Sequence, residues 1–431
     1  MLTVRGSPLR VVGSDGIAVN PEAAPPYLSS QPTWGAGRPG ILVFTVGLVL
    51  TTATQLRFHE LPFGAGELAL LGWLLGASFG QALMARKTSL SDAAMWIVGF
   101  WLVAWASLLA GAFWSSLIGM DALDDMVHDF AALAFVTLVS IGFVMVFRES
   151  RPLESMLHAY VFLTSAIVGG MLVLSWFVPT AFGLSLWYYE VRFAAWAINP
   201  NQIALLVVGI PFWALHLHSQ SGRSRRVLLE FSVIVSILVG LATYSEALLL
   251  AWLGGFGLLG LMAIYKSPVR GHGRVLLAWI CIPLGGIILA TVLAPVVWPT
   301  FVNLHHSDGG QGNVRMALWG NGLQAIAMSP VFGFGPGAHA GLESPFQGEE
   351  AHNTLIDWGA CAGVVGVAAY LSLAWVVVRR SWRAGNSALV CGFFALFIFS
   401  LFHYVLRQPI FWVSLLIVLL LSPDEPALKR H

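Results

Sequence analysis

His352 and four arginines are the residues of this chain best suited to do chemistry. His352 stands beside Asn353 at the mouth of an apolar stretch. An imidazole titrates at about pH 6.5, so its neutral form can take a proton from a hydroxyl as a new bond forms. The same residue can equally cap or pack a helix start. Arg192 and Arg315 lie in apolar, aromatic surroundings. A guanidinium keeps its charge and offers a fork of donors that matches phosphate oxygens. Contact with lipid headgroups, or pairing with an acid such as Glu190 beside Arg192, is the alternative. Arg407 lies in the turn His403–Pro409 and can reach the same cavity; Arg57 flanks a span end beside His59 and Glu60.

These four arginines are set apart by where the other cations go. The chain has 431 residues, 57% hydrophobic and 10% charged. A soluble protein carries roughly 25% charged residues, so this one lacks the polar surface to face water and belongs in a bilayer. A span needs about 20 mostly apolar residues. Twelve stretches qualify: 40–56, 67–85, 93–118, 129–147, 157–177, 200–217, 227–244, 247–265, 274–296, 353–378, 386–404 and 409–422. Of the 22 Lys and Arg residues, 18 fall in one set of alternate loops and ends, and Arg57, Arg192, Arg315 and Arg407 fall in the other. The positive-inside rule makes the larger set cytoplasmic. The four arginines then face outward, with both termini in the cytoplasm.

The expected fold is an all-α polytopic membrane protein of about 12 transmembrane helices, with a long periplasmic loop containing short helices between the ninth and tenth spans. The expected organisation is a flexible cytoplasmic tail over 1–39, spans one to nine over 40–296, the outer loop over 297–352, the last three spans over 353–422, and a tail over 423–431. Within the loop, Gln311 to Met328 can form a helix on which Arg315 and Trp319 share a face, closed by Pro330. A second outer segment, 178–199, is rich in aromatics and ends in Asn199-Pro200-Asn201, which suits a helix start.

Several chemistries are excluded. A net charge of +1 argues against nucleic acid. The run Gly333-Phe334-Gly335-Pro336-Gly337 lacks the lysine and hydroxyl of a phosphate-binding loop and reads first as a tight turn. Cys281, Cys361 and Cys391 have no metal or redox spacing, and His305, His306 and Asp308 read as a solvated loop, so no metal site is expected.

Three stretches together resemble the O-antigen ligase and polymerase superfamily of bacterial membrane glycosyltransferases. They are Arg192 to Asn201, Arg315 to Trp319 with Ser329 to Gly337, and Ala351 to Gly366. The chain departs from that family at Thr243-Tyr244-Ser245-Glu246, where relatives often have Ser-Arg, and Arg407 is the candidate to substitute. The resemblance implies transfer of a glycan from undecaprenyl diphosphate to an acceptor on the periplasmic face of the bacterial inner membrane. The acceptor would be lipid A–core for a ligase, or a second lipid-linked glycan for a polymerase; transfer to protein is the less favoured acceptor. A lipid-linked glycan transporter is the reading from a different class. The resemblance also implies His352 as base, Arg315 and Arg192 on the diphosphate, and substrate contacts from Arg407, Asn353, Asn201, Gly335, Gly337 and Trp319. It implies no metal or other cofactor, with the glycine run as a floor beneath the sugar and the long loop as a lid.

Overall fold

The computed structural model describes residues 34–57, 63–83, 91–119, 123–148, 150–181, 183–266, 311–337 and 349–422. The expected ninth span, 274–296, lies outside the described residues, as do Cys281, His305, His306, Asp308, most of the N-terminal tail, the C-terminal tail and parts of the 297–352 loop. The described chain is mostly helical. In order, the helices are α1 (Arg38–Leu50), α2 (Ala65–Leu83), α3 (Asp92–Leu117), α4 (Leu123–Val146), α5 (Ser150–Ser175), α6 (Pro200–Val207), α7 (Ile210–His218), α8 (Arg223–Ala242), α9 (Glu246–Lys266), α10 (Gln311–Met328), α11 (Thr354–Arg383), α12 (Ser387–Ser400) and α13 (Pro409–Leu420). Two small hairpins stand between α5 and α6. They pair β1 (Thr180–Ala181) with β2 (Leu184–Ser185), and β3 (Trp187–Tyr188) with β4 (Arg192–Phe193).

Six of the described helical stretches are long and apolar enough to cross a membrane: 92–117, 125–146, 151–175, 200–218, 246–266 and 354–383. α1, α12, α13 and the stretch 65–80 of α2 are shorter and apolar. α8 fills the expected 227–244 segment but opens on Arg223, Arg225 and Arg226. The bundle is apolar inside and out. Trp73, Trp101, Trp213, Trp358 and Trp412 are fully buried, while Leu75, Phe79, Leu102 and Phe113 are exposed. An outward apolar surface of this kind is matched by lipid, not water. α13 is buried from Pro409 to Leu419, as a helix hydrophobic all round must be, and forms the centre of the bundle.

Backbone breaks inside such a bundle need replacement hydrogen bonds. The expected 200–217 span breaks between α6 and α7 because Pro211 has no N–H to donate. Tyr160 Oη donates to the Leu206 carbonyl at 2.8 Å and Trp252 Nε1 to the Val208 carbonyl at 3.0 Å. α11 breaks more sharply, at Gly363 (φ 61°, ψ −167°), a conformation open essentially to glycine alone. The glycine run repairs this break. Phe334 N donates to Ala360 O (2.8 Å) and Gly335 N to Cys361 O (2.9 Å). Ser107 Oγ on α3 donates to Ala362 O (2.6 Å). In return Val364 N donates to Pro330 O (2.8 Å) and Val365 N to Val331 O (3.3 Å). The segment after α10 therefore stands in for the missing turn of α11.

α11 and α12 also separate the charges. Lys266 at the end of α9 donates to Gly385 O (3.1 Å) and Ser387 Oγ (2.7 Å), at the end of the helices that carries Arg380 and Arg383. The opposite ends of the same two helices meet where Thr354 Oγ1 donates to His403 O (2.6 Å). His352, His403 and Arg407 belong to that second end.

Candidate active site

His352 is held by its neighbours' backbone. Asn353 caps α11, its Oδ1 accepting from Leu355 N (3.0 Å) and Ile356 N (3.3 Å). Asp357, one turn into the helix, reaches back. Its Oδ1 accepts from Ala351 N (2.8 Å) and its Oδ2 from Asn353 N (3.0 Å). Trp319 Nε1 on α10 donates to the Ala351 carbonyl (3.0 Å). Between these clamped amides His352 takes φ +54°, a left-handed conformation that costs a non-glycine residue roughly 1–2 kcal/mol. The clamp sustains it and leaves the His352 side chain 45% exposed.

The electrostatics keep this imidazole neutral. Burial, and then the charge of Arg315, push its pKa below the usual histidine value, while Glu349 opposes them. Nδ1 lies 3.8 Å from Glu350 Oε2, and the other oxygen of Glu350 is paired with Arg407. Glu350 thus stands between Arg407 and His352. His403, whose ring centroid is 6.5 Å from that of His352, is pushed down to about 3 by burial and by His352, Arg315 and Arg192. It stays uncharged, so it does not compete with the arginines for an anion.

The four arginines gather at this end but differ in kind. Arg192 sits on β4, opposite Tyr188, in a hairpin whose loop residues Tyr189 and Glu190 both take positive φ. Its Nε donates to Thr243 O (2.9 Å) and its Nη2 to Asn201 Oδ1 (3.2 Å). Burial lowers its pKa, Tyr188 and Glu246 oppose, and Arg315 lowers it further. Arg315 thus lies close enough to be felt at Arg192, His352 and His403 together. Among the described residues neither Arg192 nor Arg315 has a carboxylate within ion-pair distance. Arg57 and Arg407 do. Arg57 Nη2 meets the buried Glu67 at 3.2 Å. Arg407 pairs with both Asp129 and Glu350 and lies over the Tyr404 ring. Glu246, at the departure from the family pattern, is a counter-charge near Arg192.

The glycines serve packing. Gly335 has φ +89°, and a Cβ there would come 2.6 Å from the backbone of Ala112 on α3. Gly337 has φ +77°, and a Cβ would come 2.7 Å from the backbone of Asp125 and Met126 on α4. Gly337 N donates to Asp129 Oδ2 at 3.1 Å, which ties the run to the carboxylate that holds Arg407. So the structure brings together Arg192, Asn201, Arg315, Trp319, His352, Asn353, Arg407 and, through Asp129, Gly337. Gly335 lies behind them, against α3. Among these, Asn201, Asn353 and Trp319 spend the polar atoms described on orienting Arg192 or the His352 backbone.

Three residues matter that sequence reasoning did not single out. Asp357 was readable as an acid one turn after an Asn N-cap. His403 and Asp129 carried no such signal, because their partners lie on helices distant in the chain. No groups of three or more His, Cys, Asp or Glu residues suited to a metal occur among the described residues.

Residues 231–371 match the family described as O-antigen ligase. That stretch contains Glu246, Arg315, Trp319, the glycine run, His352 and Asp357, whereas Arg57, Arg192 and Arg407 lie outside it. No curated protein matches the chain.

Proposed function

We propose, for a chain that belongs to the O-antigen ligase superfamily through residues 231–371, that it moves a glycan from undecaprenyl diphosphate to lipid A–core on the periplasmic face of the bacterial inner membrane. Membership supports the broader statement directly: this is a membrane glycosyltransferase of the O-antigen ligase or polymerase type. The observation that carries the finer reading is the position of Arg315. It is near both Arg192 and His352, and neither arginine is paired with a carboxylate among the described residues.

In this reading Arg192 and Arg315 hold the donor diphosphate, and their fixed charges stabilise it as it leaves. The free ring nitrogen of His352 takes the proton of the acceptor hydroxyl. The acceptor oxygen bonds to the anomeric carbon as the bond to phosphate breaks on the opposite face, so the configuration inverts. The energy comes from the diphosphate linkage of the donor. Both chain termini are cytoplasmic, and 297–352 is the periplasmic segment that supplies Arg315 and His352. Glu246 tempers the charge at Arg192, so anion binding rests on two arginines here.

The lipopolysaccharide ladder of a deletion strain tests the acceptor. Loss of all O-antigen with lipid-linked polymer retained supports ligation. Loss of long chains with one repeat still attached identifies a polymerase instead. An unchanged ladder contradicts both.

A further inference from the structure

A cavity of about 200 Å³ has Arg407 in its wall. Phe63 and Phe135 line it, edge to face at 6.2 Å, together with Gln202, Gln408 and His128. Arg57 and Arg407 complete the wall, but both are already paired, with Glu67 and with Asp129 and Glu350. A phosphate entering here would meet guanidinium groups already paired with carboxylates, beside the Glu67 carboxylate, which repels it. A neutral ligand rich in hydroxyls meets no such penalty. The aromatic rings suit the C–H faces of a sugar ring. Gln202 accepts from Thr54 Oγ1 with its Oε1 (2.8 Å), which leaves its amide hydrogens to donate to hydroxyl oxygens. Paired carboxylates and arginines retain lone pairs and N–H groups for vicinal hydroxyls.

We infer that this cavity binds the neutral terminal sugar of the acceptor. The inference rests on the transfer reaction proposed above and adds the acceptor's place in it. Arg407 forms a wall of the cavity and also holds Glu350, whose Oε2 lies 3.8 Å from His352 Nδ1. Two paired side chains, Arg407 and Glu350, link a sugar seated there to the base. The donor diphosphate belongs with Arg192 and Arg315, which have no paired carboxylate among the described residues.

The test is two-substrate kinetics on the purified full-length protein, with lipid-linked glycan as donor and lipid A–core lacking O-antigen as acceptor. Gln202→Ala and Gln408→Ala should each raise the acceptor KM about tenfold, as expected for the loss of one or two hydrogen bonds. The donor KM and kcat should hold within a factor of two, and thermal unfolding should match the unaltered protein. A neutral monosaccharide matching the acceptor terminus should compete with acceptor, and inorganic phosphate should not protect this cavity. A rise in donor KM instead, or unchanged KM for both substrates in a transfer-active protein, overturns the subsite. If the unaltered protein transfers nothing from this donor, the proposed reaction fails, a result distinct from failure of the subsite.

Discussion

Asp357 offers the sharpest perturbation of the His352 geometry, because it touches the backbone on both sides of the histidine without touching its ring. Replacing it by Asn keeps the shape of the side chain. One oxygen remains to accept from an amide, and an NH2 group now faces the other amide N–H at the position where Ala351 N or Asn353 N was held at 2.8 or 3.0 Å. Leaving a buried backbone donor without its acceptor costs about 1–3 kcal/mol. His352 must also sustain a left-handed conformation that costs about 1–2 kcal/mol. Losing about 1–3 kcal/mol from a clamp that offsets such a strain lowers the population of the held conformation by roughly 5- to 150-fold, at about 1.4 kcal/mol per factor of ten. If that conformation presents the base, kcat falls by about the same factor. The assay is single-turnover transfer of fluorescent lipid-linked glycan to lipid A–core in detergent, with donor binding measured separately. Donor affinity should be unchanged, because Arg192 and Arg315 do not contact Asp357 among the interactions described. A variant that folds, binds donor and transfers at the unaltered rate would refute the clamp as a catalytic device.

Two further outcomes follow. Gly363→Ala places a Cβ against the Val331 carbonyl at a backbone conformation open essentially to glycine, and the strained backbone alone should cost about 1–3 kcal/mol. A clear drop in melting temperature in detergent checks it, and an unchanged melting point contradicts the repair of α11 by the glycine run. The second concerns pH. The lowered pKa of His352 means the folded protein resists protonation there, so both stability and the neutral base are fully present above about pH 6.5. Both are lost as pH falls below that value toward the folded pKa. The transfer rate should therefore be level near neutrality and decline only on the acid side. A decline beginning above pH 7 would assign the titration to another group.

The helices and the candidate site differ in how far they could be read from the amino-acid order. Apolar runs of membrane length give α3, α4, α5, α9 and α11 because their composition alone forces burial or lipid contact. The helix over 311–328 and the start of α11 at Asn353 were equally legible, since caps and proline act locally. The charge asymmetry set four arginines apart, because the exclusion of cations from alternate loops is a property of the whole chain, but it did not say that they meet in space. The break at Gly363 was not legible. A glycine in an apolar helix reads as packing, and the donors that make the break tolerable come from Phe334, Gly335 and Ser107, far away in sequence. For the same reason Arg407 was grouped with the anion binders: nothing near it in the chain announces Asp129. The role of the glycine run as a floor under the sugar remains part of the proposal, whereas the contacts described for it are with helix backbone.

The central claim is that His352 is the base, and the backbone at that residue supplies an unusually clean test. His352→Gly fits φ +54° without strain, so the variant should fold and melt at least as high as the unaltered protein. It should bind lipid-linked donor normally and transfer at less than about one-hundredth of the rate, the scale of a lost general base. Added imidazole, small enough to enter the space left by the ring, should restore part of the rate, with a pH dependence that follows the added base. A folded His352→Gly protein that transfers glycan at the unaltered rate without imidazole would contradict the account.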